Sequence, residues 1–431
     1  MSMRRVFVAS MAVATVLAAA PDAHERPSAE VVIEWNQLVQ STIPGAGGVL
    51  APRSYAMVHI AMFDAVNAIE RDYSPFRVAL RERGRGSSEA AAAQAAHDVL
   101  VGLNPAATAT YDAALATQLG TRPTEFARRG AAIGARVAQE ILAWRQGDGW
   151  IATGLPPYVE PALPGRWQPT APNNPAAAFT HLQRATPMAL LTPTQYLPPP
   201  PPQLTSAAYA TDFLEVQALG RFDSTARTPE QTQIARLWAS VSADGAGTAT
   251  HNFAIWNNIT RDAVRERRLS LVDGARVFAL VNVAIHDGLH TTQASKFIYG
   301  LWRPVTAIRG ALDDLNPATE PDTAWLPLIT TPPYPSYAGN MACIGASAAR
   351  ALQLAFGTDD TTITATWKQS NAPDVSHQFD SFSALADSQY MARIWGGVHY
   401  RFDQVAGQHI GNQVAEYVFM NFMARRDGGD D

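Results

Sequence analysis

Across 54–70, apolar side chains recur three and four residues apart: Met57, Ile60, Ala61, Phe63, Val66 and Ile69 fall on one stripe. A chain spaced this way buries the stripe by winding into a helix, so the pattern predicts one here. The same period runs through about 89–103, 123–146, 228–242, 274–299, 339–356 and 404–426. Period-two alternation, the mark of a half-buried strand, is scarce. The expected class is all-α.

One long stretch, 155–203, breaks the pattern. It is rich in proline and ends in the run Pro198 to Pro202. Each proline removes a backbone donor and clashes with the preceding turn, so the stretch predicts a long loop rather than helix. Such a loop either joins two helical units or wraps over one, and composition alone favours a linker. No fixed-period repeat is visible. At the other end, Arg4 and Arg5 precede an apolar run closing on Ala18, Ala19 and Ala20, and Pro21 stops it. This is the layout of a signal peptide over 1–20, which predicts export to the periplasm or the medium. No other stretch is long and apolar enough to span a bilayer, so no stable membrane span is expected once the leader is removed. Cys343 is the only cysteine, which excludes an intramolecular disulfide.

Hydrophobic residues make up 47% and charged ones 16%, a globular composition. A net charge of −5 offers no broad basic field for nucleic acid or anionic lipid. An anion must therefore be held locally, and three segments have the chemistry for it. Lys296 precedes Arg303-Pro304 by seven residues at the end of a helical pattern, a spacing that puts two cations nearly on one helical face. Arginine offers a rigid fork of donors and lysine a compact charge, a pairing suited to phosphate-like groups. Arg393 precedes His399 by six residues, which is about 120° apart on an unbroken helix, but Gly396 and Gly397 interrupt helical geometry. Asp403 lies four residues beyond His399, placed to accept from one ring nitrogen and free the other as nucleophile or metal ligand. The third segment, Thr331 to Met341, carries a glycine turn into a helix, where unsatisfied N–H groups favour anions. Taken alone, the cation pair reads first as solvated surface charge, the histidine as structural and the glycine turn as an ordinary helix start.

Together, in this order, the segments resemble the signature of the vanadium-haloperoxidase and type 2 phosphatidic acid phosphatase superfamily: Lys-x6-Arg-Pro, then Pro-Ser-Gly-His, then Arg-x5-His. Lys296 with Arg303-Pro304 and Arg393 with His399 match the first and third. The flanking stretches 283–287, 302–308 and 394–403 look like the bacterial vanadium-haloperoxidase-like group, and the likeness reaches upstream to 53–67, so it covers most of the mature chain. The resemblance implies one large helical-bundle domain over 21–431 that binds vanadate or phosphate, and it sets the linker reading of 155–203 aside. It also implies roles. His399 would bond to vanadium or attack phosphorus, while Lys296, Arg303 and Arg393 would neutralise the oxygens of a trigonal-bipyramidal species.

The middle motif departs from the family. Ala338, Gly339, Asn340 and Met341 stand where Pro, Ser, Gly and His are expected. Gly339 lacks the serine hydroxyl, a hydrogen bond to a charged group worth about 1.5–3 kcal/mol. Met341 lacks the histidine acid–base, a loss of about two to four orders of magnitude in rate. Ser336 could supply the hydroxyl only in a shifted register. The Asn340 N–H and amide are candidates to replace part of what Gly339 no longer gives, and His251, His286, His290 and His377 are the remaining candidates for proton transfer. Three functional readings follow. The first is a vanadate-dependent haloperoxidase-like enzyme acting on peroxide and a halide or organic substrate. The second is a phosphomonoester hydrolase working through phospho-His399, and the third a non-catalytic oxyanion binder. The sequence leaves oligomeric state open, a homo-oligomer included.

Overall fold

The computed structural model describes residues 27–43, 50–80, 85–120, 122–151, 154–239, 252–310, 314–368 and 373–426. The signal-peptide stretch 1–20 lies outside them. The described chain is mostly helical: α1 (Glu30–Thr42), α2 (Ala51–Glu70), α3 (Ser88–Leu103), α4 (Thr108–Leu119), α5 (Glu125–Trp144), α6 (Ala207–Leu219), α7 (Pro229–Ala239), α8 (Asn252–Glu266), α9 (Leu271–Tyr299), α10 (Pro304–Arg309), α11 (Asn340–Phe356), α12 (Phe382–Trp395) and α13 (Arg401–Asn421). One antiparallel hairpin, β1 (Asp360–Trp367) with β2 (Val375–Ser381), stands between α11 and α12. The all-α class holds. Among the described residues no helix is long and apolar enough to cross a membrane.

The axis of the fold is α9, which packs against α2, α11 and α13. From Val277 to Phe297 it has no exposed face, since every residue in that span is buried, and a helix apolar nearly all round belongs in a core. Its polar residues are therefore held by partners. Asn282 accepts from Asn257 Nδ2 at 3.1 Å, and Asn36 Nδ2 donates to Asn257 Oδ1 at 2.7 Å and to His59 Nε2 at 3.1 Å, tying α1, α2, α8 and α9 together. Asp287 accepts from the N–H groups of Met188, Ala189 and Leu190 at 2.8, 2.7 and 2.8 Å.

Those three residues lie in the proline-rich stretch, whose only helical element is the 3-10 turn Thr180–Arg184. The stretch is fastened to the core further along. Tyr299 and Tyr337 donate to the carbonyls of Pro198 and Pro199 at 2.5 and 2.7 Å. It behaves as a strap laid over α9.

Close helix contact positions the C-terminal pair. A Cβ on Gly407 of α13 would fall 2.1 Å from the Gly339 carbonyl oxygen at the start of α11, so only glycine lets the two backbones meet there.

His59 is fully buried in the asparagine network, and burial lowers its pKa to about 3. The unfolded chain takes up this proton near pH 6.5, so the stability His59 contributes is complete above that value and is lost as pH falls toward 3. In urea unfolding at a series of pH values, wild type is expected to lose up to about 1.4 kcal/mol per pH unit from this group below pH 6.5. His59→Gln lacks that component, so its deficit relative to wild type should shrink with acidification; a constant deficit would refute the assignment.

Candidate oxyanion site

Lys296 sits on the last turn of α9, and Gly300, at φ +60°, ends the helix in the left-handed conformation that glycine adopts without cost. Arg303 follows in extended conformation as the N-cap of α10, with Pro304 at the first helical position. The expectation that Lys296 and Arg303 converge by lying on one helical face is therefore corrected. A cap and a turn bring them together, because Gly300 and Pro304 stop one helix and start another. At the third segment the break works as read from the glycines: α12 ends at Trp395, Gly397 takes φ +76°, and His399 emerges just before α13.

All four chemical side chains are buried. Lys296 Nζ donates to the carbonyls of Ser336 at 2.7 Å and Ala338 at 2.5 Å. Arg303 donates from Nε to the Tyr334 carbonyl and from Nη1 to the Val398 carbonyl, both at 2.8 Å, and Nη1 lies 3.1 Å from His399 Nε2. The Tyr334 ring faces both cations, 5.4 Å from Lys296 Nζ and 5.0 Å from the Arg303 guanidinium. A guanidinium can only donate, so His399 Nε2 is the acceptor and the ring proton resides on Nδ1. That proton goes to Asp403 Oδ2 at 2.9 Å, as the four-residue spacing suggested.

Burial, then Arg303, Lys296 and Arg393, hold His399 well below the usual imidazole range, so the ring is neutral near pH 7. Burial and the neighbouring Arg303 likewise push Lys296 well down, and burial raises Asp403 despite its bonds to Ser336 and the nearby cations. These directions reflect burial and the mutual repulsion of the neighbouring cations. An anion would relieve that repulsion.

Unpartnered atoms support the same conclusion. Among the described residues, Arg303 Nη2, Arg393 Nε, both amide atoms of Asn340 and both of Gln404 are buried without a hydrogen-bond partner. Buried polar atoms are rarely left so, and a tetrahedral oxyanion beside His399 Nε2 offers acceptors for the nitrogens among them. The residues present thus fit vanadate or phosphate.

The middle motif is arranged differently from its sequence reading. Gly339 is the N-cap of α11, but its own N–H is committed to the Asp403 carbonyl at 2.7 Å, so it supplies space and a turn rather than a donor. The first turn of α11 has no side-chain cap, which leaves the Asn340 and Met341 N–H groups without intrahelical partners. Ser336 Oγ donates to Asp403 Oδ2 at 2.5 Å and lies 3.3 Å from His399 Nδ1. It therefore stands on the far side of the ring from Nε2 and positions the carboxylate. The thioether of Met341 accepts from Asn252 Nδ2 at 2.9 Å. Of the spare histidines, His286 is bonded to Asp287 on α9, His290 stacks on Trp150, His377 meets Trp367 on the hairpin, and His251 lies outside the described residues. The roles of Gln404, Ser336 and Tyr334 were not read from the sequence.

The fold and pocket together define a helical protein built around a buried cationic site. Residues 276–428 match the family model described as the VCPO second helical-bundle domain. The chain is 24% identical to the vanadium chloroperoxidase of Curvularia inaequalis, a match that takes in 56% of this chain and 49% of that protein, so it spans about half the length of this curated relative. The structure resembles that of the first bacterial vanadium-dependent iodoperoxidase, with a TM-score of 0.78 at 23% identity, covering 93% of this chain and 98% of the other. It also resembles a holo-type bacterial vanadium-dependent chloroperoxidase, with a TM-score of 0.68 at 16% identity, covering 92% and 95%. The chain shares the fold of these vanadium-dependent haloperoxidases and resembles them in sequence over its C-terminal part.

Because the pocket is overcharged when empty, an anion that fills it should stabilise the protein, by about 2.7 kcal/mol at a hundredfold excess over Kd. Arg393→Met is expected to lose most of this anion-dependent gain while its anion-free stability equals or exceeds that of wild type. Thermal unfolding with and without phosphate checks both, and an unchanged gain would remove Arg393 from the site.

Proposed function

We propose that the protein is a vanadate-dependent haloperoxidase-like enzyme that uses hydrogen peroxide to oxidise a halide or an organic substrate. The observation that carries the reading is the pair of buried, unpartnered donors Arg303 Nη2 and Arg393 Nε, on two cations close enough to His399 to hold its ring neutral. The related fold supports it. Export, read from 1–20, belongs to the same proposal.

When bound, vanadate supplies the peroxide-activating chemistry. The chain's residues prepare the place for it. His399 offers the Nε2 lone pair, kept available because Asp403 holds the proton on Nδ1 and Ser336 holds Asp403. Lys296, Arg303 and Arg393 spread positive charge around the oxygens without having to reorganise, since burial and carbonyl contacts fix the first two. Met341 can neither give nor take a proton, so this position would not serve a bound oxyanion as an acid or base. The same absence weighs against hydrolysis of ordinary phosphomonoesters, whose alkoxide leaving group needs an acid.

Calorimetric titration of the mature protein with vanadate and phosphate should show binding that falls at least about a hundredfold in both His399→Ala and Lys296→Ala, the loss of a charged or covalent contact. Peroxide and bromide added to the vanadate-loaded wild type should then brominate a dye. Phosphate release from an activated aryl ester without bromination would shift the reading to a phosphatase. Failure of both anions to bind would end it.

A further inference from the structure

Gln404 is fully buried one residue beyond Asp403, and neither atom of its amide has a partner. Its position is set by Gly339. A Cβ on Gly339 would fall 2.3 Å from Gln404 Nε2 and 2.8 Å from Cδ, so the amide fills the space that a side chain at 339 would take. Gly339 leads directly into Asn340, whose amide is also buried with both atoms unpartnered. Both amides therefore lie at the turn 336–340, whose Ser336 and Ala338 carbonyls hold Lys296 Nζ. The difference in chemistry matters: guanidinium and ammonium groups only donate, whereas an amide donates through nitrogen and accepts through oxygen.

We propose that the amides of Gln404 and Asn340 are direct ligands of the oxyanion and select a protonated tetrahedral species, such as hydrogen phosphate or dihydrogen vanadate, over sulfate. A protonated oxygen gives its hydrogen to an amide carbonyl and leaves the amide N–H groups for an unprotonated oxygen. Sulfate near neutral pH has no hydrogen to give, so it would leave buried carbonyl oxygens unpaired, and a site with unpaired polar groups rejects a ligand strongly. The cations hold either anion by charge. The amides read whether it carries a proton. This rests on the oxyanion-site reading above.

The test is calorimetry of phosphate, vanadate and sulfate binding near pH 7 with wild type, Gln404→Met and the double variant Gly339→Ser with Gln404→Ala. Methionine keeps the bulk of glutamine without its hydrogen bonds. Wild type should bind phosphate and vanadate at least about tenfold more tightly than sulfate, the worth of one such hydrogen bond. Gln404→Met should weaken phosphate and vanadate about tenfold or more while sulfate binding stays nearly constant. The double variant moves a donor–acceptor group from position 404 to 339 and should recover phosphate binding to within a few-fold of wild type. If Gln404→Met fails to fold, the double variant and the wild-type sulfate ratio still decide. Wild type that binds phosphate and sulfate equally, Gln404→Met with unchanged ratios, or a folded double variant without phosphate affinity overturns the assignment and leaves the oxyanion site standing. Wild type that binds no anion overturns both.

Discussion

Three cations, Lys296, Arg303 and Arg393, share one buried pocket with the carboxylate of Asp403. Taking like charges out of water costs free energy that no packing at the site itself returns, so the surrounding structure has to hold them. It does so with backbone carbonyls. Lys296 rests on the carbonyls of Ser336 and Ala338, and Arg303 on those of Tyr334 and Val398. These acceptors belong to the segments leading into α11 and α13, so the same contacts that tolerate the charge also bring the other parts of the site to it. What charge remains is the binding potential for an oxyanion.

The scaffold is correspondingly rigid where it meets the pocket. The asparagine and histidine network ties α9 to three other helices, and Gly407 lets α13 lie against the start of α11. His399, Asp403 and Gln404 share the beginning of α13, Gly339 and Asn340 the beginning of α11, and Lys296 the end of α9. Helix ends are where backbone groups lack intrahelical partners, and a site made of such ends joins side-chain donors to main-chain ones.

Helices with regular apolar spacing were legible in the sequence: α2, α3, α5, α7, α9, α11 and α13 all fall within a few residues of the periodic runs. Others were not. In α4 only Tyr111 is buried, and α6 has little segregation of apolar from polar faces, so periodicity carries no signal there. The β1–β2 hairpin alternates in burial, but its threonines and polar residues do not give the alternation of apolar and polar side chains that marks a strand. At the site, the spacing of His399 and Asp403 correctly anticipated a hydrogen bond, because four residues is one helical turn. The spacing of Lys296 and Arg303 gave a sound convergence for the wrong reason, since Gly300 and Pro304 lie between them. Gln404 was invisible for another reason: its position depends on a missing side chain at 339, on a distant helix, and no local pattern records a space.

The strap from the proline-rich stretch buries Leu182, Met188 and Leu190 in the core, and several of its anchors act on its main chain. Asp287 takes the N–H groups of residues 188–190, and Tyr299 and Tyr337 reach the carbonyls of Pro198 and Pro199. A backbone group is the same whatever side chain it carries. The exposed positions of this segment are therefore free to change over evolutionary time while the anchoring aspartate, the tyrosines and the core-packed side chains keep its path over α9.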